Sequence, residues 1–181
     1  MTPMKKHLEE IRNTALSGEY SDALSEIDKI IDGRPGYIDA LRLKGNVLEL
    51  RALDRAQSRG GSLLRCRDYV AARRCYEHIL QLDPGNTLAL IDLGDHFRNL
   101  GAAMKALEFY EQAIALLSSG RFGWSRKEEI VEAFGNAAEL YGELGKEADR
   151  VRIEQAQRRL VAQMRARQLR RSRTRSSANR R

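Results

Sequence analysis

The sequence predicts an all-α protein: an α-solenoid of three stacked helix pairs, a divergent capping pair and a basic disordered tail. Three observations lead there. Positions recur in register along the chain, apolar residues fall on one helical face within each segment, and Gly or Pro stands at the joints. Two shifts describe the recurrence. Gly18, Tyr20, Ala23, Ile27, Ile30 and Pro35 move by 49 to Arg67, Tyr69, Ala72, Tyr76, Ile79 and Pro84. A further 34 leads to Gly101, Ala103, Ala106, Tyr110, Ala113 and Ser118. Ile11 and Thr14 shift in the opposite order, by 34 to Gly45 and Leu48, then by 49 to Gly94 and Phe97. A 34-residue unit therefore repeats, and the 15-residue excess lies inside the second unit, between Leu50 and Tyr69.

The first pair covers 4–37, with a turn at Gly18 and a joint at Pro35. The second, 38–86, carries the insertion. There LRALDRAQSR prolongs the first helix until Gly60-Gly61 breaks it, and Ser62 is placed to cap a returning helix that begins LLRCRDYV. This hairpin should outreach its neighbours by a turn or two. In the third pair, 87–118, Leu90, Leu93, Gly94 and Phe97 share one face, and Ala106, Phe109, Tyr110 and Ala113 share another. Gly94 and Ala106 predict a close helix approach, with Phe97 and Tyr110 filling the space beside it.

Residues 119–164 read as a loop and a capping helix pair. Phe122 and Trp124 are expected to plug the junction before the cap, and Ser125 with Glu128 forms a capping box. Val131, Phe134 and Ala138 mark the face of the next helix, Gly145 stops it, and a last helix begins near Glu147. Residues 165–181 offer no apolar core former after Leu169 and predict disorder beyond a frayed helix end. No single pair buries enough apolar surface to offset its ordering entropy, so the pairs must stack.

These columns resemble the tetratricopeptide repeat family over residues 4–118. The third repeat carries Leu93-Gly94, Phe97, Gly101, Ala106, Tyr110 and Ala113 at the signature positions, and the second carries Gly45, Leu48, Tyr69, Ala72, Tyr76 and Pro84. The first has Gly18, Tyr20, Ala23 and Pro35, but Ile11 replaces the usual Gly. In the capping pair Arg150 falls in the alanine column. The resemblance implies a concave groove, lined by the first helix of each pair, that receives an extended peptide or a partner helix. Carried over position by position, it places Leu8, Arg12 and Ala15, then Arg42, Asn46 and Glu49, then Leu88, Ile91, Asp95 and Arg98 on that groove. Arg42 and Asn46 match part of the clamp by which some members hold acidic chaperone tails. Asp92 and Glu132 put negative charge where a carboxylate would sit, so such tails are not expected. A groove apolar at Leu88 and Ile91 and charged elsewhere suits an amphipathic segment of another protein.

Composition removes other classes. A chain of 181 residues that is 42% hydrophobic and 31% charged is neither collagen-like nor wholly disordered. No apolar run approaches the roughly 18 residues of a membrane span. The opening MTPMKKHLEE turns acidic where a signal peptide needs its apolar stretch, so a cytoplasmic protein is expected. Cys66 and Cys75 do not make a disulfide framework. With His78 they offer three metal ligands and no fourth, so no metal site is expected. Neither a phosphate-cradling loop nor a nucleophile motif is present, and no catalytic residues and no cofactor are predicted.

Charge is concentrated in two places. The chain carries +7, yet the 8 Arg of residues 165–181 stand without an acid, so residues 1–164 are close to neutral. Within them, the stretch from Arg51 to Arg74 holds 7 Arg against Asp54 and Asp68. Arg51, Arg55 and Arg59 are spaced i, i+4, i+8, with Arg65 and Arg67 on the return. They form either a solvated face or a docking prong for an acidic partner or phosphates. Arg170, Arg171, Arg173 and Arg175 in the tail are likewise either solubilising or an anchor to a polyanion. The function expected is a non-enzymatic adaptor holding another protein in its groove. Two alternatives stand beside it: a nucleic-acid-associated adaptor using these arginines, or a small chaperone for a secreted client.

Overall fold

The computed structural model describes residues 2–119 and 126–178, and among them the chain is all-α, with eight α-helices and no strand. Phe122, Trp124 and Ser125, and with them the expected plug and capping box, lie outside the described residues. The chain forms two compact units, Met1–Ala89 and Leu90–Arg181.

In the first unit, α1 (Pro3–Leu16) opens with Thr2 as N-cap and Pro at the first turn, where a missing N–H costs nothing. It buries Leu8, Ile11 and Ala15 against α2 (Tyr20–Gly33), which answers with Ala23, Leu24 and Ile27. The turn between them passes through Gly18 at φ 92°, a backbone region that favours glycine. Next, α3 (Ile38–Arg59) packs on α1, α2 and α4 (Arg67–Leu82). Leu41, Ile79 and Ala89 make a small core here, covered by Ile31, Ile38 and Leu80.

The insertion extends α3 to Arg59, and Gly60 ends it at φ 68°. Its return differs from expectation. A single 3-10 turn, Leu63–Arg65, follows, and α4 starts only at Arg67 after Cys66. Ser62 makes no side-chain cap, because the extended backbone of Cys66 separates that turn from the helix it was expected to open.

The pairing of α3 with α4 depends on Gly45. A Cβ there would lie 2.5 Å from Cε1 of Tyr76, so the Tyr76 ring occupies the space that a side chain on α3 would need. In the second unit the same arrangement joins α5 (Thr87–Asn99) to α6 (Ala103–Ser118), where a Cβ on Gly94 would meet Tyr110 Cε1 at 2.2 Å. The aromatic thus lies on the glycine rather than beside it, while Phe97 stacks on Phe109 with ring centroids 5.4 Å apart.

The unit continues with α7 (Lys127–Glu143), packed between α6 and α8 (Glu147–Ala178). Ile130, Ala133, Phe134, Ala137 and Tyr141 form its inner face, while Val131, expected to be inward, is 46% exposed. One residue of helical rotation, about 100°, separates it from the buried Ile130. The chain end also differs. The backbone of α8 is helical to Ala178, so the helix runs further into the tail than the frayed end expected there. No helix among the described residues is long and apolar enough to cross a membrane.

Candidate functional site

The faces that α1 and α3 leave uncovered form a cleft of about 270 Å³ in the first unit. From α1 it takes Lys5, Leu8, Glu9 and Arg12, which recur at helical spacing and so share one face. From α3 come Ile38, Asp39, Arg42, Leu43 and Asn46 by the same rule, and Asn86 and Leu88 close one side. Leu8 and Leu43, 8% and 3% exposed, make an apolar floor with the half-buried Ile38 and Leu88. Lys5, Glu9, Arg12 and Asp39 stand exposed at the rim. Arg12 is steadied by Glu9 through a 3.0 Å hydrogen bond. An apolar floor with both signs of charge on its rim can bind a segment that has one greasy face and charged flanks.

The structure therefore gathers Leu8, Arg12, Arg42, Asn46 and Leu88 at one cleft. It also draws in Lys5, Ile38, Asp39, Leu43 and Asn86, which the sequence reading had not selected. The helical spacing that unites Lys5 with Leu8 and Arg12, and Asp39 with Arg42 and Asn46, was the signal available for most of them.

Five residues expected on a groove have other tasks, and the first, Ala15, is buried in the core at 1% exposure. Glu49 is only 9% exposed, and its carboxylate at 3.1 Å shares the single proton of the Tyr76 hydroxyl with Asn46 Oδ1 at 2.8 Å. Ile91 is fully buried and belongs to the core, not to a binding surface. Asp95 Oδ1 accepts from the Tyr110 hydroxyl at 2.6 Å and from Asn136 Nδ2 at 2.8 Å. Burial and the Asp95 carboxylate together push the Tyr110 phenol well above its usual range. Arg98 donates to Glu139 at 2.9 Å and pairs with Glu143, and the Glu139 hydrogen bond above all holds it in the charged form. In the second unit this polar face is thus spent in binding α5 to α7.

The arginine prong is largely satisfied within the fold. Arg51 donates through Nε and a terminal nitrogen to both oxygens of Asp68, at 2.8 and 2.7 Å, and Arg55 reaches Asp68 Oδ2 at 2.6 Å. Their charge is answered by an acid that arrives on the returning helix. Arg59 stays exposed at the tip. In the tail Arg170 is exposed, whereas the side chains of Arg171, Arg173 and Arg175 lie outside the described residues. Cys75 is half-buried, and burial raises its thiol above the ordinary range, the opposite of what a nucleophile needs. Among the described residues no group of three or more His, Cys, Asp or Glu could hold a metal ion.

No protein-family model matches the chain, and no curated protein matches it either. Solved structures of MamA align with it. One is 16% identical, covers 83% of this chain and 94% of its own, and gives a TM-score of 0.44. Another is 15% identical over 88% of this chain and 93% of its own, with a TM-score of 0.43. At that identity and TM-score, nothing about activity or partners passes from those proteins to this one.

Proposed function

We propose that this protein is a non-enzymatic adaptor that holds an amphipathic segment of another protein in the cleft between α1 and α3. One observation carries the reading: the cleft combines a floor of Leu8, Leu43 and Leu88 with a rim of Lys5, Glu9, Arg12 and Asp39. An apolar side chain entering that floor supplies affinity, and charges of both signs at the rim select orientation and partner. The proposed repeats, 4–37, 38–86 and 87–118, supply the helix faces, and the tetratricopeptide resemblance of their columns supports a peptide or helix as the occupant.

A photo-crosslinking residue at Leu88 tests this in native lysate. It should capture one protein that the same group at the exposed Ser25 of α2 does not. The double substitution Leu88→Asp and Arg42→Glu should then abolish copurification of that protein while leaving helicity intact. Equal capture from both positions overturns the reading.

A further inference from the structure

The 15-residue insertion builds a structure that the repeat architecture does not need. A 34-residue unit would turn back near Leu50. Here α3 runs on to Arg59, and the chain returns through Gly60-Gly61, the 3-10 turn Leu63–Arg65 and the extended Cys66. The return does not close on the helix. A cavity of about 160 Å³ remains at the tip of the hairpin, between Ala52 and Ala56 on α3 and Leu63 and Cys66 on the return. The two glycines keep it open, since a Cβ on either would meet nothing within 4 Å. Its lining runs from Ala52 to Cys66, so all of it belongs to the interval that carries the insertion. None of it belongs to the cleft between α1 and α3.

The walls of this cavity are carbon and its rim is cationic. From α3 it takes Ala52, Arg55, Ala56 and Arg59, whose spacings of three and four make one helix face. Asp54, two residues from both alanines, falls on the opposite side of α3 and does not line the cavity. Asp68 is spent on Arg51 and Arg55. Arg59, Arg65 and Arg67 are exposed and form no ion pair among the described residues. Leu64, beside Leu63 in the 3-10 turn, is 68% exposed.

We propose that the hairpin tip is a second docking site, and that it takes an acidic protein segment that inserts one aliphatic side chain into the cavity. A cavity of about 150 Å³ lined by apolar side chains holds a benzene molecule, so this one has room for a single aliphatic side chain. The same segment would cover Leu64, and carboxylates flanking its anchor would meet Arg59, Arg65 and Arg67. Nucleic acid fits less well. Its phosphates would meet the arginines, but it brings nothing aliphatic to fill the cavity, and no aromatic residue between 50 and 68 is present to stack on a base. A membrane surface demands a broad apolar face, whereas this tip presents its carbon mainly as a recess.

The test selects phage-displayed random peptides on the full chain, after depletion on a full-length variant carrying R59E, R65E and R67E. Depletion removes peptides that bind elsewhere, those in the α1/α3 cleft included. Enriched peptides should carry a Leu, Ile, Val or Met flanked by several Asp or Glu. Fluorescence anisotropy with the most frequent peptide should show about 10- to 100-fold weaker binding to Ala56→Trp, the range expected for one buried aliphatic side chain. Replacing the anchor of the peptide by Ser should cost the same, and the two changes together should cost little more than either alone. The peptide change alters nothing in the protein, so it decides the case even where Ala56→Trp lowers the melting temperature. The charge-reversed variant should keep its melting temperature and bind the peptide roughly tenfold more weakly at low salt, with a smaller difference at high salt. Absence of enrichment overturns the proposal, as do enriched peptides that are basic or lack an apolar residue, and an anchor that Ser replaces without loss. Tighter binding of a DNA duplex or of phosphatidylserine vesicles than of the peptide overturns it too.

Discussion

Two helix pairs in this molecule are built from partners of unequal length, and they end differently. In the α3/α4 pair, 22 residues face 16, and the overhang of α3 is closed by a returning segment that brings Asp68 to Arg51 and Arg55. In the α7/α8 pair, 17 residues face 32, and the overhang meets no returning segment among the described residues. Both overhangs are rich in arginine. Where the chain doubles back, an acid comes into reach and arginine becomes a strut. Where the chain simply runs on, Arg165 and Arg167 stand exposed on the helix. The role of these arginines follows from the topology around them rather than from their number.

The largest effect should come from the glycine that sets each pairing. Gly45→Ala would place a methyl 2.5 Å from the Tyr76 ring, so overpacking should cost about 2 kcal/mol even after the better helix propensity of Ala is counted. Gly142→Ala in α7 meets only the flexible Cδ of Arg150 at 3.2 Å and should leave the melting temperature unchanged or slightly higher. Equal losses from the two substitutions would remove the distinction between a locked pair and a loosely joined one.

Asp68→Ala comes next. It strands Arg51, whose side chain is only 18% exposed, and should cost about 2 kcal/mol, below the usual cost of breaking a fully buried pair. The same substitution frees two arginines, so retention on a heparin column should rise. A melting temperature unchanged by Asp68→Ala would make the overhang of α3 as independent of its return as the end of α8.

A smaller contrast lies between the two arginines. Arg51→Met should cost about 1 kcal/mol because it removes a bidentate, part-buried contact. Arg55 is 53% exposed, and Arg55→Met should stay within about 0.5 kcal/mol. Thermal denaturation of both variants checks the order, and its reversal would place the anchor of the hairpin at Arg55.

The smallest effect is expected at the chain end. Ending the protein after Met164 removes 8 Arg, so net charge falls from +7 to −1, while almost no buried surface is lost. The melting temperature should move by no more than about 1 °C. A larger drop would show that residues beyond Met164 support the fold, and the contrast between the two overhangs would fail.

Much of this architecture could be read from the sequence because its causes are local. Helix periodicity, the turns at Gly18, Gly101 and Gly145, and the length of the insertion all depend on neighbours a few residues away. The close helix approach at Gly94 was also legible, but the sequence paired that glycine with Ala106 and set Tyr110 beside them, whereas the Tyr76 and Tyr110 rings lie on Gly45 and Gly94 themselves. At the chain end the helix runs further than composition suggests. Composition without apolar residues predicts disorder, but α8 enters that segment already formed, so the unfavourable nucleation step has been passed.

Tertiary structure alone decided which polar groups are left for a partner. Arg51 meets Asp68 across 17 residues, Tyr76 meets Asn46 across 30, and Asp95 meets Asn136 across 41. Glu49, Asp95 and Arg98 look like binding residues by position, yet each is engaged by a side chain from another helix. A hydrogen bond or ion pair acts only over a few ångströms, and only the packing of helices brings such distant residues that close. The sequence determines which faces are polar, and the packing determines which of those polar groups remain at the surface.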